Sequence, residues 1–329
     1  MENIIYQTFS SRRNTGFPAQ GSFFNPQITK GSYLVPFDFS VAVTPNDSDD
    51  TIRAAVLTAL LAALKNDNAL SRAYYIGDYI NFEDKSDKQA MQKYNYGTEV
   101  ESNRGKYKLE FQFENAGFGF FQSVKGFHNL QDMFKVIHVD TNRLYGTNKL
   151  DATGTLVGFQ GYTLDFLNVP DWMWTSYDKR AQYAIGYHHA NPKEMNEELF
   201  VVDMKQNMLK YGRTNGVIDV VITGSMTGTR IATISLKTRV GNVNLGDLHA
   251  AALDLANNLS IKNKNTGVDI TISSVGTYNA ATGTYAVTMA STGGYSASNP
   301  CVIKLKSVST LIAVPLPAYE SNTLELTMN

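Results

Sequence analysis

Between Lys106 and Leu167 the chain reads KYKLEFQFENAGFGFFQSVKGFHNLQDMFKVIHVDTNRLYGTNKLDATGTLVGFQGYTLDFL, short aromatic-rich segments of alternating polarity cut by glycine-bearing turns. Successive side chains on a strand point to opposite faces. Tyr107, Leu109, Phe111 and Phe113 therefore share one side, and Lys106, Lys108, Glu110 and Gln112 share the other. One face is buried and one is wet, the pattern of an antiparallel sheet covering a core. Strands are expected around 106–114, 118–124, 134–139 and 155–167. Turns are expected at Thr141–Gly146 and Asp151–Gly154, where Asp and Asn bond their own backbone.

A chain of 329 residues, 43% of them hydrophobic, can bury two ordinary cores. Only 18% are charged and the net charge is −1, below the roughly 25% charged content of typical soluble domains. Specific nucleic-acid binding is not expected without a basic patch or stripe. Little charge repulsion keeps copies apart, and 18 Tyr and 17 Phe supply surface to bury. Those features suit both a large aromatic core and a protein that packs against copies of itself. The single cysteine, Cys301, excludes a disulfide framework and a cysteine-based zinc site. The N-terminus lacks the apolar core of a secretory signal, and no stretch reaches the 18 apolar residues of a membrane span.

Three regions are expected. Residues 1–46, rich in Gly, Pro, Ser, Asn and Phe, read as an extended arm followed by an edge strand, with Pro36 confining Tyr33–Val43 to an edge or a bulge. Residues 47–215 read as the main β-rich body. It opens on a helix over 51–64 that is capped by acidic residues and apolar nearly all round, so it should be buried on most sides. A long polar loop is expected over 81–104, of the kind that orders on a partner. Near Asn215-Gly216 the composition shifts to Val, Ile, Thr and Gly, with Gly212 and Gly216 bracketing a natural linker. Residues 216–329 then read as a β domain carrying one amphipathic helix over 244–259, with Leu245, Leu248, Ala252, Leu255 and Leu259 on one face.

The chemical constellations fail on spacing. GxxxxGK[ST], GxGxxG, GxSxG, HExxH and HxxEH are all absent. His188 and His189, as strand neighbours, point to opposite faces and share a metal poorly. Asp140-Thr141-Asn142 opens like a calcium loop, but Leu144 fills the third oxygen position. Cys301 reads as a small buried thiol. No catalytic residue, cofactor or metal is expected. An enzyme would need scattered carboxylates such as Glu99, Glu101, Asp140 and Asp165 to converge.

The segments GKYKLEFQF, FKVIHVDTNRLYGT, DATGTLVGFQGYTLDFL and YAIGYHHANPKEMNEELFVVDM resemble virion structural proteins of tailed bacteriophages, tail-tube-like or head/tail-associated. The C-terminal Val/Thr/Gly-rich strands, with the turn Tyr278–Gly283, are similar to the Ig-like appendages such proteins carry. The resemblance implies a mainly β fold with a few helices: a β-sandwich or barrel-like N-terminal domain plus a smaller Ig-like or sheet-plus-helix C-terminal domain. It implies a non-enzymatic, many-copy virion component, in a tail tube, ring or capsid, assembled in the host cytoplasm. The partners would be copies of itself and other virion proteins, with no membrane. Assembly contacts are expected at Phe9, Arg12, Arg13, Phe17, Phe23 and Phe24 of the arm and at Tyr94, Tyr96 and Arg104 of the loop. The alternative is a carbohydrate- or surface-binding β-sandwich module, with Trp172 and Trp174 as a stacking platform.

Overall fold

The computed structural model describes residues 5–7, 29–44, 46–87, 90–93, 99–103, 105–114, 118–171, 182–239, 241–249, 253–308, 311 and 318–328. The chain is mainly β with six short to medium α-helices among the described residues. It divides into two compact units, Met1–Thr214 and Asn215–Asn329.

The first unit is built on the strand Phe134–Val139, all six of whose residues are buried. Along one edge it pairs antiparallel with Gly31–Pro36. Its other edge is shared: Lys135 and Val136 face Thr163 and Tyr162 of the strand Tyr162–Asn168, while His138 and Val139 face Tyr145 and Leu144 of Arg143–Leu150. From Tyr162–Asn168 the ladder runs on through Gln182–His189, Lys108–Glu114 and Tyr79–Asp84. Asp78, at φ 67°, links that last strand to Tyr74–Gly77, which pairs back onto Gly31–Pro36. The path of strands thus returns to its start and encloses one core.

That core holds Leu34, Tyr79, Leu109, Phe111, Phe113, Phe134, Val136, Tyr162, Ile185 and Tyr187. The odd-numbered residues Ile137 and Val139 face a second core with Tyr33, Val35, Phe159 and Phe200, onto which the helix Asp49–Leu64 packs. Ser48 caps this helix, its side chain accepting from Thr51 N, and Asp49 and Asp50 fill the first turn. Only one side is covered: Ile52, Val56, Leu60, Ala63 and Leu64 are buried, whereas Ala54, Thr58 and Ala62 are exposed. The expectation of burial on most sides is corrected accordingly. The outer side is made of small residues, so it reads as apolar in the sequence yet exposes little carbon to water.

Other boundaries move for physical reasons. Gly31–Pro36 is a central strand, not an edge; Pro36 sits at its last position, past Leu34 where pairing with Tyr74–Gly77 stops, so no donor is missed. Phe118–Lys125 is a helix rather than a strand, with Phe121 and Val124 buried three residues apart on one face. The first turn spans only Asp140–Asn142. Gly146 lies inside the strand Arg143–Leu150, where a Cβ would stand 2.4 Å from Gln160 O. Gly212 belongs to the helix Met208–Asn215, not to a linker; a Cβ there would meet the Tyr75 ring at 2.5 Å. The N-terminal segment contributes Ile5–Gln7, paired with Phe200–Val202 of the same chain.

The second unit orders Ile272–Val275, Tyr285–Met289, Ile231–Thr238, Ile218–Gly228 and Tyr319–Ser321 in one sheet, and Leu259–Asn263, Pro300–Leu305 and Leu324–Thr327 in another. Val220, Ile222 and Ile234 from the first share a core with Ile261, Cys301 and Ile303 from the second. The single helix expected over 244–259 is replaced by Leu245–His249 and Leu255–Asn258, with Leu259 opening a strand. Leu248, expected on the buried face, is 53% exposed. Asp254 breaks the pattern by capping the second helix, its carboxylate accepting from Asn257 N.

Two outcomes are expected. Leu60→Asp costs several kcal/mol, because it strands a charge in the second core, whereas Thr58→Asp on the exposed side stays within about 0.5 kcal/mol; equal costs by denaturant titration would contradict the one-sided packing. A fragment of residues 215–329 shows a cooperative thermal transition and β-rich circular dichroism; a fragment unfolded where the full chain is stable would mean that the two units depend on one core.

Candidate functional site

Two features stand out: a hairpin that extends past the strand circuit, and a polar cluster sealed inside it. The strands Tyr79–Asp84 and Lys108–Glu114 pair antiparallel, and the ladder continues outward as Lys85 N donates to Lys108 O (2.8 Å) and Asp87 N to Lys106 O (3.0 Å). Beyond it, Ala90–Lys93 pairs with Glu99–Asn103, Lys93 opposite Glu99. The stretch expected as a loop over 81–104 is therefore largely β-hairpin. Its first strand escaped recognition because it buries no stripe: of Tyr79–Asp84 only Tyr79 is buried. Lys85–Glu110, Lys108–Asp87 and Lys106–Asp165 ion pairs at 2.7, 2.7 and 2.8 Å lace the base. Each contributes at most about 1 kcal/mol. The outer strands form a sheet of two, with no third strand among the described residues.

The interior cluster follows from strand phase. His138 is in step with Phe134 and Val136, and His189 with Ile185 and Tyr187, so both histidines enter the core, and both are wholly buried. Their Nε2 atoms lie 3.4 Å apart, and His138 Nδ1 meets Ser32 Oγ at 3.1 Å. Tyr79 and Tyr187 share a hydroxyl–hydroxyl bond of 2.8 Å. The His138 ring packs against Phe111, Tyr162 and Tyr187 with centroids 5.3–5.9 Å away. Burial pushes His138 well below the usual imidazole range, helped by His189. Burial also pushes His189 down to about 3, helped by its neighbour His188. Both rings are neutral near pH 7, and the Nε2–Nε2 contact is a hydrogen bond where one of the two rings carries its proton on Nε2. The relay ends at His189 Nδ1, which has no hydrogen-bond partner among the described residues. A sealed, uncharged network of this kind fixes strand positions; it offers no reacting group to solvent.

Beside it, Asp140 closes the turn into Arg143–Leu150, accepting from Asn142 N, Arg143 N and, at 2.8 Å, the Tyr145 hydroxyl. This is the backbone-bonding role expected of it, and Asp151 does the same for Thr153 N and Thr155 N. Glu194 is buried and accepts from Thr163 N at 2.7 Å; burial raises its carboxyl. Cys301 is fully buried and burial raises its thiol.

The expected assembly residues Phe9, Arg12, Arg13, Phe17, Phe23, Phe24, Tyr94, Tyr96 and Arg104 lie outside the described residues, as do Trp172 and Trp174. The carboxylates proposed to converge do not share a site where they are described: Asp140 serves its turn and Asp165 pairs with Lys106. Among the described residues no three His, Cys, Asp or Glu side chains gather to hold a metal. The cluster of Ser32, Tyr79, His138, Tyr162, Tyr187 and His189 was not anticipated, although the alternation in FKVIHV and YAIGYHH marks both histidines as inward. The second unit carries an open cleft of about 600 Å³ lined by Leu253–Ala256, Val275–Tyr278 and Tyr285. Its polar groups are largely engaged, Asp254 by Asn257 and the Tyr278 hydroxyl by Asp247.

The chain matches no protein-family model, and a search of curated proteins returns no match.

Asp140→Ala removes the turn's acceptor and deprives the buried Tyr145 hydroxyl of its carboxylate. The expected cost is about 2 kcal/mol, read as a shifted midpoint at unchanged slope in a denaturant titration; a shift below about 0.5 kcal/mol would show that the turn does not depend on this side chain.

Proposed function

We propose that the chain is a non-enzymatic structural protein that assembles in many copies, as a tail-tube, ring or capsid component of a phage-like virion, and that the hairpin between Tyr79 and Glu114 is its main contact with a neighbouring copy. The observation that carries this reading is the outer ribbon, Ala90–Lys93 with Glu99–Asn103, which pairs with no other described strand. An isolated two-stranded ribbon is marginally stable in water, and its open edges are templates for another chain. A neighbour in a many-copy particle supplies the missing strand or surface.

Two further features agree with it. The net charge of −1 lets copies approach without long-range repulsion. The titratable groups described in the first unit's interior are sealed and support strands. The resemblance to tailed-phage virion proteins supplies the class of particle; assembly in the host cytoplasm and contacts with other virion proteins come with that class.

The test replaces residues 88–105 by Asn-Gly, a two-residue turn that closes the ladder at Asp87 and Lys106. Light scattering after size exclusion, at rising concentration, is expected to show the parent forming rings or polymers and the shortened chain remaining a folded monomer. A parent that stays monomeric throughout would sink the assembly reading, and one that responds to glycans would favour the surface-binding module. A shortened chain that assembles like the parent would remove the hairpin from it.

A further inference from the structure

The His138–His189 contact lies where the strand circuit branches. His138 pairs with Ser32 on one side and Tyr145 on the other, two residues after the point where Phe134–Val139 hands its edge from Tyr162–Asn168 to Arg143–Leu150. His189 ends its strand opposite Leu164. The imidazole pair thus ties the central strand to Gln182–His189 across the interior, where no backbone ladder joins those two strands. We propose that this pair is an acid-sensitive latch: it holds the first unit closed while both rings are neutral, and protonation opens that unit selectively, leaving the second unit folded. The inference is independent of the assembly reading.

The groups described around the pair are mostly neutral. Gly31–Pro36 offers Ser32, Tyr79–Asp84 offers Tyr79, and Lys108–Glu114 offers the Phe111 ring. Tyr162–Asn168 offers Tyr162 and Gln182–His189 offers Tyr187; His188 adds like charge from the opposite face. From Arg143–Leu150 comes Tyr145, whose hydroxyl is given to Asp140. From the helix Pro192–Asn196 comes Glu194, which is bonded to Thr163 N and faces Lys135. Two imidazolium ions 3.4 Å apart among aromatic rings are strongly disfavoured.

The sign follows from linkage. Unfolded chains bind protons at histidine near 6.5, whereas the folded His189 holds off to about 3. Stability is therefore full above about 6.5 and falls as pH drops through that window toward 3. At pH 4.5 the unfolding constant rises about 100-fold from His189 alone, and further from His138, which is depressed in the same direction. The second unit contains one histidine, His249, which meets the Tyr319 hydroxyl at 2.7 Å.

The experiment follows denaturant unfolding of the full chain between pH 7.5 and 4.5. Peptide-resolved hydrogen exchange follows the strands of each unit separately along the titration, while far-ultraviolet circular dichroism reports both. The transition of the first unit's strands is expected to weaken steeply with acid and to separate from a later one of the second unit's strands. His189→Gln, which keeps a hydrogen-bonding side chain of similar size, is expected to remove about 100-fold of the acid-induced rise. An unchanged pH profile in that variant overturns the proposal. Should His189→Gln not fold, imidazole NMR of the native chain decides: rings of His138 and His189 that do not titrate between pH 7.5 and 5 support the latch, and rings that titrate near 6.5 in the folded protein overturn it.

Discussion

The strand Phe134–Val139 feeds two cores at once, and the rest of the first unit depends on that double burial. Its even-numbered residues face the aromatic interior and Ile137 and Val139 face the helix-covered side. A shift of one residue in register would exchange the two sets and place His138 among aliphatic side chains beside Ile52 and Val56. Such a strand tolerates only one alignment, because the period of side-chain direction is two. Gly31–Pro36, Tyr162–Asn168 and Arg143–Leu150 take their positions from it directly, and the rest of the sheet builds outward through them. The histidine pair belongs to the same constraint, since it is the polar contact made possible by His138 lying in phase with Phe134 and Val136.

Within that frame the aromatic residues divide their work. Tyr79, Phe111 and Phe113 stack or meet edge to face at centroid distances of 4.6–5.2 Å, while the hydroxyls of Tyr79 and Tyr187 satisfy each other. Large rings with a polar end fill a wide interior and still pair the buried oxygen, which aliphatic residues cannot do. The high tyrosine content is thereby explained in part by the core of one subunit. Low charge remains a separate matter, and it bears on how closely copies of the chain can approach.

Much of the architecture could be read from the sequence wherever one face was buried and the other wet. The alternation in Lys108–Glu114 and the backbone-bonding turns at Asp140 and Asp151 are of this kind, as is the mainly β character with a few helices. Where burial and polarity stop alternating, the reading fails. The strands Ala90–Lys93 and Glu99–Asn103 carry no sustained apolar alternation in the sequence, so they read as loop. Phe118–Lys125 is apolar at spacings that suit a strand or a helix, and its place against Tyr183 and Phe113 decides for helix. Leu245–Leu259 has a helical stripe, yet Asp254 interrupts it as a cap. The buried histidines were legible in phase, but their meeting depends on two strands 51 residues apart, a long-range fact that spacing does not contain.

On the proposed assembly, a rigid strand circuit presents a hairpin that becomes fully structured only against a neighbour. Native-state amide hydrogen exchange, measured on the full chain when dilute and again when concentrated, tests it most directly. The account predicts that amides of Phe134–Val139 are the slowest to exchange in both conditions, and that those of Ala90–Lys93 and Glu99–Asn103 exchange rapidly when dilute and become protected on concentration. Hairpin amides with the same protection at every concentration would contradict it, as would a central strand that exchanges as fast as the hairpin.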